Sequence, residues 1–217
     1  MGERVIVTDL GLTRYEDVQA AMQAFTAERG PYATNEIWLT EHQPVFTQGQ
    51  AGKPEHLLSP GDVPVVQSDR GGQVTYHAPG QIVAYLLFDL RRMGMSVRTL
   101  VSGIESAVID VLRGYGIEGA ARADAPGVYV GGAKIAALGL RVRRGCSYHG
   151  LSFNIDMNLE PYSRINPCGL SGLEVTHLSH LVGAADLDQV KLQLLSALES
   201  AYGITCCTSD TLPASIA

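Results

Sequence analysis

The sequence predicts an α+β fold in which a mixed, largely antiparallel β-sheet is flanked by helices. Segments with strand character outnumber those with helical periodicity, and several strand segments are separated only by short turns. The most apolar run, "QIVAYLLFDL", is short enough to be a buried central strand. No linker rich in glycine and serine divides the chain, so residues 1–217 are predicted to form a single domain.

Strand and helix signals alternate in the N-terminal half. "RVIVTDLG" is predicted to be a strand. "LTRYEDVQAAMQAFTAERG" is predicted to be a helix that begins with a capping box of Thr13 and Glu16 and ends at Gly30. "NEIWLTEH" is predicted to be a second strand, and the following "QPVFTQGQAGKPEHLLSPGDVP" a loop. "VPVVQSDRGGQVTYH" has the pattern of two strands broken at Gly71 and Gly72.

The C-terminal half contains two helices and a glycine hairpin. "SVRTLVSGIESAVIDVLRGYG" has the apolar period of a helix. "PGVYVGGAKIAALGLRVRRG" is predicted to be a hairpin that turns at Gly131 and Gly132, and "CSYHGLSFNIDM" continues as another strand. His177 is placed to open or cap a short helix, and the last helix is predicted to run from Asp186 to Gly203.

Composition excludes several classes of function. The net charge of -6 argues against nucleic acid as a partner, and no apolar run approaches the roughly 20 residues that cross a bilayer. The first residues lack the features of a signal peptide, so a cytoplasmic protein without a membrane partner is expected. The four cysteines show no CxxC spacing, which predicts free thiols and no metal site.

A polar, glycine-containing segment, "SDRGGQVTYHAPGQ", precedes the apolar central strand. Paired glycines allow a ligand to approach the main chain, although the same pattern also suits a hairpin with an incidental histidine. The segment has neither the GK[ST] ending of a P-loop nor the GxGxxG spacing of a dinucleotide site. The sequence therefore predicts no cofactor bound by those routes.

Lys134 stands in an otherwise apolar strand, "GGAKIAALGLR". Small neighbours would leave its ammonium poorly hydrated, which favours a functional group whose protonation can change. The alternative is a lysine at a sheet edge whose head group reaches water.

Cys168 stands in a turn signal, "RINPCGL", where a structural cysteine is not expected. A free thiol is only about 3% thiolate at pH 7, and a neighbouring cation raises that fraction. The candidate cations or bases are Lys134, His77, His149 and His177, and the sequence alone does not rank them.

Four segments, "RGGQVTYHAPGQ", "GGAKIAALGLRVRRG", "SYHGLSFNID" and "RINPCGL", occur in an order and spacing that resembles the lipoyl(octanoyl) transferases. This family is similar in fold to the lipoate and biotin protein ligases. By this resemblance Cys168 matches the acyl-thioester nucleophile, and Lys134 the lysine that activates it and shuttles its proton. The resemblance also implies three substrate-binding segments: Arg70, Gly71, Gly72, Gln73, Val74, Thr75, Tyr76 and His77; Ala137, Leu138 and Gly139; and Gly150, Leu151 and Ser152.

The resemblance implies an acyltransferase of lipoate biosynthesis that requires no cofactor. Octanoyl-acyl carrier protein would be the donor. The acceptors would be lipoyl domains of 2-oxoacid dehydrogenase complexes and the glycine cleavage H protein. Two alternatives stay open: an ATP-dependent lipoate, octanoate or biotin protein ligase of the same fold, and a non-catalytic acyl-binding protein.

A cluster of three arginines, Arg141, Arg143 and Arg144, interrupts the acidic composition. It suits either a solvated strand end or a docking face for an acidic carrier protein.

Overall fold

Two β-sheets form the framework of residues 2–209, 211–213 and 216, which are the residues described by the computed structural model. The strands are β1 (Glu3–Thr13), β2 (Asn35–His42), β3 (Val45–Gln48), β4 (Val65–Gln67), β5 (Val74–His77), β6 (Gln81–Leu87), β7 (Ala120–Ala121), β8 (Gly127–Val130), β9 (Ala133–Arg143), β10 (Cys146–Asn154) and β11 (Ile204–Thr208). The larger sheet has the order β11-β1-β2-β6-β10-β9-β8-β7, and the smaller one β4-β3-β5. In the larger sheet β1 runs parallel to β11 and β2 while the other neighbours are antiparallel. The predicted mixed, largely antiparallel sheet is confirmed.

Helices cover both faces of the larger sheet. They are α1 (Tyr15–Glu28), α2 (Val97–Gly114), α3 (Leu178–Val182) and α4 (Leu187–Tyr202). Buried residues of α2 and α4 share one apolar cluster with the sheet, and those of α1 share another. None of the described helices is long and apolar enough to cross a membrane.

Both faces of the central strand β6 are buried, which explains why its sequence is apolar throughout. Ile82 and Leu86 belong to the cluster with α2 and α4, whereas Val83 and Tyr85 belong to the cluster with α1. Because successive strand residues point to opposite faces, a strand covered on both sides needs an unbroken apolar run. The prediction of a buried central strand is confirmed.

The structure confirms the predicted caps at the start of α4 and α3 but not the one predicted for α1. Asp186 caps α4 by accepting a 2.9 Å hydrogen bond from the N–H of Gln189, as expected, and His177 likewise caps α3. The predicted capping box at α1 is wrong: Thr13 is the last residue of β1, and its hydroxyl bonds that of Thr40. Because the hydroxyl of Thr13 bonds Thr40 on β2, it does not cap the N-terminus of α1.

Three strands, β3, β11 and the two-residue β7, were not expected from the sequence. The strand β3 lies inside the predicted loop and pairs with both β4 and β5, so those two predicted strands do not pair with each other. The strand β11 adds a parallel edge to β1 and carries Cys206 and Cys207. The small sheet matters for the site, because it holds the glycine-containing segment between β4 and β5 against β9.

Candidate active site

Cys168 lies in a single tight 3-10 turn, Pro167–Gly169. Its φ of 58° places a non-glycine residue in the left-handed region, and Gly169 follows with φ of 72°. For an L-residue this conformation costs about 1–2 kcal/mol. The predicted turn is confirmed, and the backbone strain is concentrated at the cysteine. The thiol is partly accessible rather than fully exposed.

Lys134 is buried, and its ammonium contacts the thiol. Its Nζ atom donates to Sγ of Cys168 at 2.9 Å and to the carbonyl oxygen of Pro126 at 3.2 Å. The same Nζ atom lies 5.1 Å from the ring centroid of Tyr129, a distance suited to a cation–π interaction. With an exposed fraction of 4%, Lys134 is not a lysine that reaches out to water from a sheet edge.

Main-chain pairing brings the cysteine loop to the lysine. The N–H of Lys134 donates to the carbonyl oxygen of Glu174 at 2.8 Å, and the N–H of Thr176 donates to the carbonyl oxygen of Lys134 at 2.9 Å. The amide of Asn154 on β10 then donates to the carbonyl oxygen of Thr176 at 2.9 Å. The segment that follows Cys168 is therefore fixed to β9 and β10 by hydrogen bonds, which positions the turn beside Lys134.

A cleft lined by 17 residues, whose empty volume of about 490 Å³ includes space open to solvent, extends from Cys168 along β9 and β10. Its floor is made of small residues, which leave room for a chain to lie against the sheet. The lining residues are Tyr15, Arg70, Gly72, Gln73, Val74, Thr75, His77, Val83, Tyr85, Ala137, Leu138, Gly139, His149, Gly150, Leu151, Ser152 and Cys168.

Arg70 fixes the wall of the cleft opposite the floor. Its guanidinium is buried and donates to the hydroxyl and carbonyl oxygens of Thr47 and to the carbonyl oxygens of Gly71 and Gln73. The N–H of Gly71 donates to the carbonyl oxygen of Leu140 at 3.0 Å, and a Cβ at Gly71 would lie 2.9 Å from that oxygen. The glycine therefore permits the close approach of β9 rather than of a ligand.

The three candidate histidines are bonded to groups other than the thiol. His77 is buried and its ring nitrogens contact Gln81 and Thr47 at 2.7 and 3.3 Å. His177 contacts the carbonyl oxygen of Ile155 through Nδ1 at 3.2 Å. His149 contacts Asp69. Burial lowers the pKa of both His77 and His149, and for His149 the nearby Asp69 offsets part of this effect. Both imidazoles are therefore neutral near pH 7, which leaves Lys134 as the cation that contacts Cys168.

The predicted substrate-binding segments meet at this cleft with two exceptions. Gly71 turns to β9, and Tyr76 packs against Phe46 and Tyr162 under the small sheet. Four lining residues were not predicted as substrate-binding: Tyr15, Val83, Tyr85 and His149. Tyr15, Val83 and Tyr85 occur in segments whose apolar pattern is typical of a core, and the sequence of β10 offers His149 only as a candidate base for Cys168.

The remaining cysteines lie away from the cleft. Cys146 begins β10, and burial raises its pKa. Burial likewise raises the pKa of Cys206, to about 11, so both thiols are held in the neutral form at pH 7. Among the residues that the structure describes, no three His, Cys, Asp or Glu side chains come together as a metal site would require.

Comparison with known proteins places the chain in a family. Residues 14–199 match the model of the lipoyl protein ligase A/B catalytic domain. An octanoyltransferase of Pseudomonas entomophila (strain L48) is 60% identical over 192 residues, which are 88% of this chain and 89% of that protein.

Solved structures with a similar fold are ligases of low sequence identity. A bipartite lipoate protein ligase from Thermoplasma acidophilum has a TM-score of 0.78 and 15% identity over 100% of this chain and 89% of that one. Biotin protein ligase from Aquifex aeolicus, solved with biotin and ATP, has a TM-score of 0.60 and 11% identity over 91% of this chain and 70% of that one. These likenesses confirm the predicted fold. The family is shown by the match to the catalytic-domain model and by the 60% identity to the octanoyltransferase. The chain therefore belongs to the lipoyl protein ligase A/B catalytic-domain family.

Proposed function

We propose that this chain is an octanoyltransferase of lipoate biosynthesis that carries the octanoyl group as a thioester on Cys168. The 60% identity to an octanoyltransferase over most of both chains supports the activity. The contact of 2.9 Å between Nζ of Lys134 and Sγ of Cys168, a residue that lines the cleft, carries the mechanism. An ammonium beside a sulfur favours the thiolate, and the thiolate is the nucleophilic form of cysteine.

In the first half of the reaction the acyl group moves from donor to enzyme. The thiolate of Cys168 attacks the carbonyl carbon of the donor thioester, a new C–S bond forms, and the donor C–S bond breaks. The ammonium of Lys134 gives its proton to the departing thiolate, because it already donates toward the reacting sulfur. One thioester replaces another, so this step is nearly isoenergetic.

In the second half the acyl group moves from enzyme to acceptor. The amine of an acceptor lysine attacks the Cys168 thioester, an amide C–N bond forms, and the C–S bond breaks. Lys134, now neutral, takes the proton that the amine loses and returns to its starting state. Conversion of a thioester to an amide is downhill, so the reaction needs no nucleotide.

The cleft suits an apolar chain attached to Cys168. Ala137, Gly139 and Gly150 form a floor without long side chains, and Val83 and the ring of Tyr85 add apolar surface. Burial of the chain there would contribute roughly 0.8 kcal/mol per methylene group, which favours octanoyl over acetyl donors.

The partners that we propose are an acyl carrier protein as donor and lipoyl domains as acceptors. Lipoyl domains of 2-oxoacid dehydrogenase complexes and the glycine cleavage H protein present a lysine of the required kind, and the reaction would take place in the cytoplasm. Acyl carrier proteins are acidic, so docking on this acidic chain requires a positive face. Arg143 and Arg144 are exposed at the β9–β10 turn and would supply part of it.

Intact mass spectrometry tests the proposal. After mixing with octanoyl-acyl carrier protein, the wild type is expected to gain one octanoyl group and lose it when a lipoyl domain is added without ATP. Cys168→Ser should abolish the adduct, whereas Cys146→Ser, which removes a thiol outside the cleft, should retain it. Absence of any adduct in the wild type would reject transfer. Modification of the lipoyl domain by free octanoate only when ATP is present would identify a ligase instead.

A further inference from the structure

The strand register gives the cleft a measurable length. Ser152 on β10 pairs with Ala137 on β9, which lines the same small cavity as Cys168, while His149 pairs with Leu140. Three residues along an antiparallel strand span about 10 Å. An extended eight-carbon acyl chain, with single bonds of about 1.5 Å, is about 9 Å long. An octanoyl group attached to Cys168 and lying along β10 would therefore end at His149.

His149 closes this end of the cleft with an unusual backbone. Its φ is 59°, in the left-handed region. Successive strand residues normally point to opposite faces, yet Tyr148 and His149 both bond the carboxylate of Asp69. Their rings lie 5.0 Å apart between centroids, at an angle of 29°. The left-handed backbone thus brings the imidazole to the face of the sheet that lines the cleft, and strain of this kind is concentrated at functional positions.

One nitrogen of His149 has no hydrogen-bond partner among the residues that the structure describes. Nε2 lies 2.8 Å from Oδ1 of Asp69, whose carboxylate accepts a hydrogen bond, so the proton is on Nε2 and Nδ1 carries a lone pair. Nδ1 is buried without a hydrogen-bond partner, and His149 as a whole is 1% exposed. A water molecule or a polar group could satisfy this acceptor, whereas a methylene group could not.

The other polar side chains at this end are satisfied. The hydroxyl of Tyr15 contacts that of Ser68 at 2.7 Å, and the hydroxyl of Tyr85 contacts Nε2 of His42 at 2.6 Å. Their rings offer an apolar surface to a chain, and their polar atoms are engaged elsewhere. His149 differs because it lines the cleft and one of its ring nitrogens has no partner among the described residues.

We propose that His149 sets the upper limit on the length of the acyl chain that this enzyme accepts, a specificity role that rests on the proposed octanoyl transfer. An octanoyl group fills the cleft up to the imidazole. Two further carbons must displace the ring from its hydrogen bond to Asp69, and this cost removes the gain that added methylene groups would otherwise bring. Asp69 is the positioning residue, since it fixes the orientation and the tautomer of the ring.

Donors of graded length test this limit. The rates of acyl-enzyme formation are measured by intact mass spectrometry with hexanoyl-, octanoyl-, decanoyl- and dodecanoyl-acyl carrier protein. The wild type should acylate roughly ten-fold more slowly with decanoyl than with octanoyl, because the longer chain must displace the imidazole from its hydrogen bond to Asp69. In His149→Gly, which accepts a positive φ and removes the ring, this difference should disappear while the hexanoyl-to-octanoyl ratio stays unchanged.

Tyr148→Phe is the matched control, because it removes the neighbouring bond to Asp69 but leaves the imidazole in the cleft. It should keep the wild-type preference. A folded His149→Gly that loses rate equally with all donors would overturn the proposal and assign the residue a structural role. Should that variant fail to fold, the wild type still decides, since equal rates with decanoyl and octanoyl donors overturn the limit. A wild type that forms no adduct with any donor would instead reject octanoyl transfer.

Discussion

Nζ of Lys134 donates a hydrogen bond of 2.9 Å to Sγ of Cys168, across 34 positions of the chain. The contact does not depend on a flexible side chain finding its partner, because Glu174 and Thr176 bond the main chain of Lys134 on both sides. The carbonyl oxygen of Pro126 and the ring of Tyr129 hold the ammonium from the other direction. The pair is therefore arranged before any substrate binds, which lowers the entropic cost of reaching the reactive geometry.

Two substitutions of Lys134 should distinguish the effect of its positive charge on Cys168 from its role as a proton donor. Lys134→Met removes the cation, so alkylation of Cys168 by iodoacetamide at pH 7 should slow by roughly ten-fold. Lys134→Arg keeps a cation that does not release its proton near neutral pH, so alkylation should stay closer to the wild-type rate while acyl transfer falls. Peptide mapping of the alkylated protein gives the first rate, and intact mass spectrometry gives the second.

Lys191→Met is the control for these variants. Lys191 is also buried, but its Nζ contacts Oδ2 of Asp9 at 2.7 Å, on β1 far from the cleft. Its removal should leave the alkylation of Cys168 unchanged. Equal rates in Lys134→Met and wild type would contradict the assigned role of Lys134.

The sequence was sufficient to predict those helices and strands whose apolar residues follow a regular pattern. The apolar run of β6 and the 3.6-residue period of α2 depend on burial alone, and both elements were predicted within a few residues of their ends. The short strand β3 was missed because its order comes from pairing with two neighbours rather than from alternation in "VFTQ". The edge strand β11 was missed for the same reason, since β1 supplies its partner groups.

The site was predictable in its residue types but not in its contacts. Cys168 in a turn and Lys134 in an apolar strand were both recognisable as candidates. Their contact required the pairing of Lys134 with the segment around Val175, which no local pattern indicates. The left-handed backbone of His149, and therefore its approach to Asp69, is likewise set by the surrounding sheet rather than by a turn residue.

Gly150 should be among the least tolerant positions of the sheet. A Cβ there would lie 1.9 Å from the carbonyl oxygen of Ala84 on the neighbouring strand β6, so Gly150→Ala must push β10 away from β6. Overpacking of this kind should lower the free energy of unfolding by about 3 kcal/mol. Gly114→Ala, at the end of α2 with open space around it, should instead raise it by about 0.5 kcal/mol. Urea denaturation measures both, and a Gly150→Ala as stable as wild type would show that the strands separate easily.

Acidification should destabilise the fold through His42. Burial lowers the pKa of this histidine from its usual 6.5 to about 4. Between these values the unfolded chain binds a proton that the folded protein does not, so the free energy of unfolding falls as the pH falls. At about 1.4 kcal/mol per pH unit, the loss on reaching pH 4 is about 3 kcal/mol for this residue. Burial also lowers the pKa values of His77 and His149, which act in the same direction.

Substitution isolates the contribution of His42. His42→Gln can still bond the hydroxyl of Tyr85 but does not titrate, so its free energy of unfolding should depend less steeply on pH between 6.5 and 4. His180→Gln, which replaces an exposed histidine on α3, should keep the wild-type slope. Urea denaturation at a series of pH values gives these slopes, and identical slopes in wild type and His42→Gln would contradict the assignment.

Reversal of charge at the β9–β10 turn should weaken binding of the donor. Arg143 and Arg144 are exposed there, and the turn brings them next to Arg91, whose side chain passes Gly145. The rest of the chain is acidic, with a net charge of -6, so this patch is where an acidic carrier protein would dock with least repulsion.

Arg143→Glu should therefore raise KM for octanoyl-acyl carrier protein by roughly ten-fold at low salt, with kcat nearly unchanged, because docking is altered but the Lys134–Cys168 pair is not. The difference should shrink at high salt, where exposed charges are screened within a few ångströms. Arg98→Glu, on the exposed first turn of α2, changes the net charge equally and should have a much smaller effect. Equal effects of the two reversals would mean that net charge, rather than this patch, governs donor binding.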